Sequence, residues 1–167
     1  QFYRPTAVTR RTRRLSGISF HASTVSPGTP ARTKRDSVWR SVGGTSSTAG
    51  YMFLCPRIPA GQIRFAITPA GGSESVIQMT TMLQTGWHHL AVVIDAANMQ
   101  VQIYLDGDVA ASGATATLPK DLGNTTQNWL GRSQYTADAY FSGMLDEFRI
   151  YNRVLSAAEV RYLAGDR

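Results

Sequence analysis

The sequence predicts an all-β domain, an antiparallel sandwich or barrel closed by one short C-terminal helix. Three observations carry this expectation. After residue 50 the apolar positions alternate with a period of two, the mark of strands with one buried face. Turn signals separate these runs about every ten residues. No helical pattern lies between the runs to serve parallel crossovers, so antiparallel pairing follows.

The elements follow in order. Tyr51-Met-Phe-Leu-Cys55 reads as a strand that buries a structural thiol at Cys55, the single cysteine. In Gln62–Thr68, Ile63, Phe65 and Ile67 share a face. Gly71-Gly72 turns the chain into Ser75–Leu83, and Gly86 introduces Trp87–Asp95. Met99, Val101, Ile103 and Leu105 then form one apolar face. Asp106-Gly107 follows at once and leads into Asp108–Ser112, a strong hairpin signal because both central residues of a type I′ turn need positive φ. Two more strands are expected at Gln127–Ser133 and Phe141–Asn152. The helix comes last. Ser156 and Glu159 have the spacing of a capping box, Val160 and Leu163 supply an apolar stripe, and Gly165 ends it.

A chain of 167 residues holds one core and not two. Its apolar runs fall far short of the roughly 20 residues that span a bilayer, so no membrane span is expected. Gln1 opens a polar, basic stretch with no hydrophobic block behind it, which does not read as a signal peptide and suggests excision from a longer precursor. The net charge of +6 is uneven. Residues 1–40 hold nine Arg/Lys against one acid, net +8; residues 41–167 hold eight against ten, net −2. Arg10, Arg11, Arg13 and Arg14 therefore form a candidate polyanion site, with a solvated arm as the plain alternative. Nucleic acid is disfavoured, since aromatics are not interleaved with these cations as base stacking requires. The division expected is a basic, divergent segment over residues 1–50, either an arm or early strands, and a sandwich over residues 51–167.

Gly86-Trp-His-His-Leu-Ala-Val-Val-Ile-Asp95 and Gln102-Ile-Tyr-Leu-Asp-Gly107 resemble the laminin-G-like jelly roll family of the concanavalin-A-like lectin and glucanase superfamily. So do Asn128-Trp-Leu-Gly-Arg-Ser-Gln-Tyr135, Tyr140-Phe-Ser-Gly143 and Leu145–Glu159, in the family's order and spacing over residues 51–163. The resemblance implies a two-sheet antiparallel jelly-roll sandwich, of a kind often appended to secreted or cell-surface proteins. Residues 1–50 depart from the pattern. Thr24-Val-Ser26 and Ser37-Val-Trp39 stand where early strands belong, and at least one of the stretches 17–20 and 37–42 is expected to pair into a sheet.

Catalysis is not expected. Glycoside cleavage needs two carboxylates about 5–5.5 Å apart for retention, or wider for inversion. Glucan-cleaving relatives carry Glu-x-Asp-x-x-Glu, which this chain lacks. Asp106 and Asp108 sit on a hairpin tip, and Asp146 and Glu147 are adjacent, hence on opposite faces. His88 and His89 also point oppositely and cannot chelate one ion, so His89 is read as packed. Asp146 shares its phase with Met144, Phe148 and Ile150. If that face is inward, the carboxylate needs a partner, and the resemblance points to calcium; hydrogen bonding alone is the other reading. For ligands, Asn128, Trp129, Arg132, Gln134, Tyr135, Asp138 and Tyr140 form the densest mixture of rings and planar polar groups, suited to a sugar. Trp129 as core filler is the competing reading. The function expected is a non-catalytic carbohydrate-binding or adhesion module of a secreted multimodular protein, facing a glycan or glycosylated surface. The alternatives are a structural jelly-roll subunit of a surface assembly, filament or virion that contacts a neighbouring subunit through residues 1–40, and polyanion binding by the basic segment.

Overall fold

The computed structural model of the chain describes residues 19–25, 40–43, 50–58, 60–135, 138, 140, 141 and 143–165. Among the described residues, ten strands form two five-stranded antiparallel sheets that pack as a jelly-roll sandwich. The first sheet has the order β10-β1-β6-β7-β8: β10 is Asp146–Tyr151, β1 is Ser19–Val25, β6 is Gly86–Asp95, β7 is Gln100–Leu105 and β8 is Asp108–Ala114. The second has the order β5-β4-β3-β2-β9, with β5 Ser75–Gln78, β4 Arg64–Thr68, β3 Tyr51–Cys55, β2 Arg40–Gly43 and β9 Gln127–Leu130. Helix α1, Ala157–Ala164, follows β10. No helix among the described residues is long and apolar enough to cross a membrane.

The core lies between the sheets. Leu90, Val92 and Ile94 of β6 with Val101 and Ile103 of β7 meet Met52 and Leu54 of β3, Phe65 and Ile67 of β4 and Ile77 of β5. Burying a side chain such as Phe65 stabilises the fold by about 1.5–3 kcal/mol. Alternation alone assigns one buried face to β6, but the strand is buried on both. Its other face, Ala91 and Val93, joins Tyr104, Leu155 and Val160 in a second apolar cluster beneath α1.

The hairpin tip binds this layer together. Asp106 (φ 52°) and Gly107 (φ 93°) form the expected positive-φ turn. The Asp106 carboxylate accepts the His89 backbone N–H at 2.8 Å and lies 2.7 Å from His88 Nδ1, tying the β7–β8 tip to β6. Gly107 lies under the helix, where an added Cβ would stand 3.3 Å from Arg161 Cα. Arg161 in turn reaches Asp108 at 2.8 Å. The capping box forms as expected: Ser156 Oγ accepts the Glu159 N–H, and Glu159 Oε2 accepts the Ser156 N–H at 2.8 Å. Gly165 closes the helix in the left-handed conformation.

Both N-terminal stretches singled out in the sequence hold a strand. β1 lies between β10 and β6, and β2 lies between β3 and β9, so each sheet draws on residues before and after position 50. Their sequences, SFHASTV and RSVG, are short and polar, which hides the alternation. Arg10, Arg11, Arg13 and Arg14 lie outside the described residues. Several strands are shorter than the runs read from the sequence, although β8 runs on to Ala114. β9 stops at Gly131 (φ 70°), and β10 starts only at Asp146.

Two stability outcomes follow. A chain lacking residues 1–50 loses an internal strand from each sheet and is expected to show no cooperative unfolding transition; a sharp melt with native near-ultraviolet circular dichroism would show that the sheets close without β1 and β2. Gly107→Ala places a Cβ on a positive-φ residue against the Arg161 backbone. It is expected to cost about 1–3 kcal/mol in denaturant unfolding, and an unchanged midpoint would contradict this packing.

Candidate functional site

The outer face of the second sheet carries a connected set of rings and charges. In β3, Met52 and Leu54 point into the core, so Tyr51, Phe53 and Cys55 take the other face. Register extends that face sideways. Phe53 pairs with Ala66, which pairs with Val76. In the other direction Phe53 pairs with Ser41, which pairs with Trp129 of β9. Residues directly opposite in a sheet share a face, so Trp129 stands on the same side as Phe53, not in the core. Cys55 and Ala66 are small and fully buried at the floor of this face.

The rings are locked by charge. Tyr51 stacks on Phe53, with centroids 5.6 Å apart, and meets Tyr135 edge-on at 6.3 Å. Arg64 lies over the Phe53 ring at 5.1 Å and pairs with Glu74, whose other oxygen accepts the Tyr51 hydroxyl at 2.9 Å. Burial, helped by the bond to Glu74, pushes the Tyr51 phenol well above its ordinary range, so it stays a neutral donor. Arg132 lies over Trp129 at 4.1 Å, a cation–π stack that holds a planar donor beside a flat apolar ring. The face thus offers ring surfaces for C–H groups, with guanidinium, carboxylate and phenol groups for hydroxyls.

The structure divides the seven candidate residues. Trp129, Arg132 and Tyr135 contribute rings and charge to this face. Gln134 fastens the following loop back on β9, donating to the Gln127 carbonyl at 2.9 Å. Asp138 accepts the Ser133 hydroxyl at 2.6 Å and so shapes the loop. Asn128 is one residue out of phase with Trp129; its side chain bonds Thr125 instead. Tyr140 stands in solvent, 70% exposed. Sequence reasoning missed Tyr51, Phe53, Arg64 and Glu74. The available signal was the pair of rings at the outward positions of β3, where a solvated sheet face would carry polar residues.

Residues 25–161 match the model of a domain family described as the concanavalin A-like lectin/glucanases superfamily. The chain belongs to that superfamily. Among solved structures it is similar to the CBM40 domain of the Ruminococcus gnavus IT-sialidase, with a TM-score of 0.71 and 18% identity over 90% of this chain and 84% of that one. It is also similar to domain 4 of AbnA, an extracellular arabinanase from Geobacillus stearothermophilus, with a TM-score of 0.68 and 24% identity over 89% of this chain and 66% of that one. The Streptococcus pneumoniae NanB sialidase aligns at a TM-score of 0.71 and 16% identity over 88% of this chain, which spans 24% of that enzyme. These likenesses show a shared fold. Among curated protein sequences none matches at a significant level.

Within this lectin-like frame the inward phase expected for Asp146 is not met. The expectation rests on unbroken alternation, and β10 has a bulge. His21 pairs with Arg149 but Ser23 pairs with Asp146, so one extra residue is inserted, and Glu147 takes φ 53°. That insertion shifts Asp146 into register with Ser23 and His89, away from the core row, and its side chain is exposed. One carboxylate oxygen accepts the Glu147 N–H at 2.8 Å. Calcium needs six to eight oxygens, and the described residues gather no group of three acidic, His or Cys side chains. The histidines serve the fold: His88 bridges Asp106 and the Gln84 carbonyl, and His89 is buried. On this geometry, excess EDTA is expected to shift the melting temperature by less than about 1 °C, since an ion bound mainly by the folded state would stabilise it by mass action. A fall of several degrees, restored by added calcium, would show that the folded domain binds the ion.

Proposed function

We propose that this chain is a non-catalytic carbohydrate-binding module that takes a glycan on the outer face of its second sheet. The observation that carries the reading is the Trp129–Arg132 stack in register with the Phe53–Tyr51–Tyr135 ring cluster, flanked by the Arg64–Glu74 pair. Sugars present an apolar C–H face and a periphery of hydroxyls, and a flat ring beside preorganised planar donors and acceptors matches both. The fold neighbours support the class. The R. gnavus domain is solved with α2,3- and α2,6-sialyllactose, and the arabinanase domain with arabinotriose. In NanB and AbnA the likeness covers only part of a larger protein. This favours a module appended to a secreted or surface protein and acting through glycan attachment, with turnover left to a partner domain.

The test is a titration of the whole chain with α2,3-sialyllactose and with arabinotriose, following heat or tryptophan fluorescence. Saturable binding of at least one sugar, without product formation, is expected. Trp129→Ala should weaken it at least tenfold, about 1.4 kcal/mol, and leave cooperative unfolding intact because Trp129 lies on an edge strand outside the core. Binding that is indifferent to Trp129→Ala would remove this face from the account, and sugar turnover by the pure chain would remove its non-catalytic character.

A further inference from the structure

The side of the sandwich opposite this face holds a cleft of about 330 Å³ between the end of β10 and helix α1. That size is at the small end of ligand sites, about 300–1,000 Å³, and suits a single ring. Leu155 and Leu163 are among the apolar lining, Tyr151 contributes a half-buried ring, and Tyr162 is 70% exposed. Val160 takes the buried position of the helix, so packing does not require a ring at Tyr162. Arg153 and Glu159 complete the lining as an ion pair at 2.6 Å.

This pair is held in place from both ends. One Glu159 oxygen accepts the Ser156 N–H at 2.8 Å and the Ser156 hydroxyl at 2.9 Å, and the other accepts Arg153. Arg153 also donates to the Val154 carbonyl. Hydrogen bonds from Arg153 and Ser156 bring the Glu159 carboxyl down to about 2, so it is an anion across the neutral range. Two uses of the cleft can be separated on these facts. A purely apolar guest would cover the ion pair and remove water from it without offering hydrogen bonds in return. A sugar ring would lay its C–H face on Tyr162 and place hydroxyls on the guanidinium and carboxylate, whose geometry is already fixed.

We infer that this cleft is a second sugar-binding site, sized for one pyranose unit, which makes the module two-sided. It shares with the proposed function only the choice of sugar as ligand class, and no residue of the Trp129 face takes part. Because α1 covers the outer face of the first sheet while Trp129 stands on the outer face of the second, one short glycan cannot reach both sites. The two sites would join separate chains, gaining avidity on a dense glycan surface.

The test is amide NMR on the full chain with α2,3-sialyllactose and arabinotriose as probes, in wild type, Trp129→Ala, Tyr162→Ala and Tyr162→Phe. Saturable shifts at residues 158–163 that persist in Trp129→Ala are expected. They should weaken at least tenfold in Tyr162→Ala and recover in Tyr162→Phe, which keeps the ring. Tyr162 is exposed, so its replacement leaves the core intact, and the melting temperature checks this. Shifts confined to β3 and β9 would overturn this site and leave the proposed function standing. Helix shifts that vanish in Trp129→Ala would reveal a relayed signal and also overturn it, and no shifts anywhere would end both readings.

Discussion

Strand β6 is buried on both faces, and the rest of the molecule is arranged around that constraint. Leu90, Val92 and Ile94 must meet a second sheet, while Ala91 and Val93 need a cover of their own. Helix α1 supplies the cover, and it is anchored where β6 begins and β7 turns. Asp106 ties the hairpin tip to the His88 ring and the His89 backbone N–H, and Gly107 leaves room for the helix to approach. Within the stretch that resembles a lectin motif, His88, His89 and Asp106-Gly107 thus serve the closure of this layer. They are structural before they are functional.

The two sheets differ in what their outer faces carry. Among the described residues, α1 packs on Ala91, Val93 and Tyr104 of the first sheet, and the ring cluster stands on the outer face of the second. There the small residues Ala66 and Cys55 let the backbone floor sit low, and Tyr51, Phe53 and Trp129 stand above it. The Glu74 carboxylate orders two of these groups at once, holding the Tyr51 hydroxyl and the Arg64 guanidinium. Ordering in the free protein matters for weak ligands such as sugars, because each side chain frozen on binding costs about 0.5–1.5 kcal/mol. A face whose rings are already stacked and whose charges are already paired loses little of the gross interaction energy.

Local signals in the sequence were faithful where the physics is local. The Asp106-Gly107 turn, the Ser156–Glu159 capping box and the alternation of β4 and of Val101 and Ile103 in β7 depend on nearest neighbours and appear as read. Met99, however, lies outside β7 at φ 52° and is exposed. What depended on pairing was hidden. The face taken by Trp129 is set by Ser41, a residue in a segment whose composition resembles a loop. The phase of Asp146 is reversed by one inserted residue at Glu147, which no periodicity argument can foresee. Tyr51 and Phe53 were visible as strand residues, but their link to Trp129 runs through β2 to β9, a strand far off in sequence. Three of the seven candidates, Trp129, Arg132 and Tyr135, therefore converge on one face, and Asn128, by contrast, turns to its own loop at Thr125.

Intermolecular nuclear Overhauser effects would show directly whether glycan binds across β3 and β9 on the outer face of the second sheet. With α2,3-sialyllactose or arabinotriose bound, the account predicts cross-peaks from sugar ring protons to the Trp129 indole and to the Tyr135 or Phe53 rings. Cross-peaks found only to residues on the side of the first sheet, with none to Trp129, would contradict it.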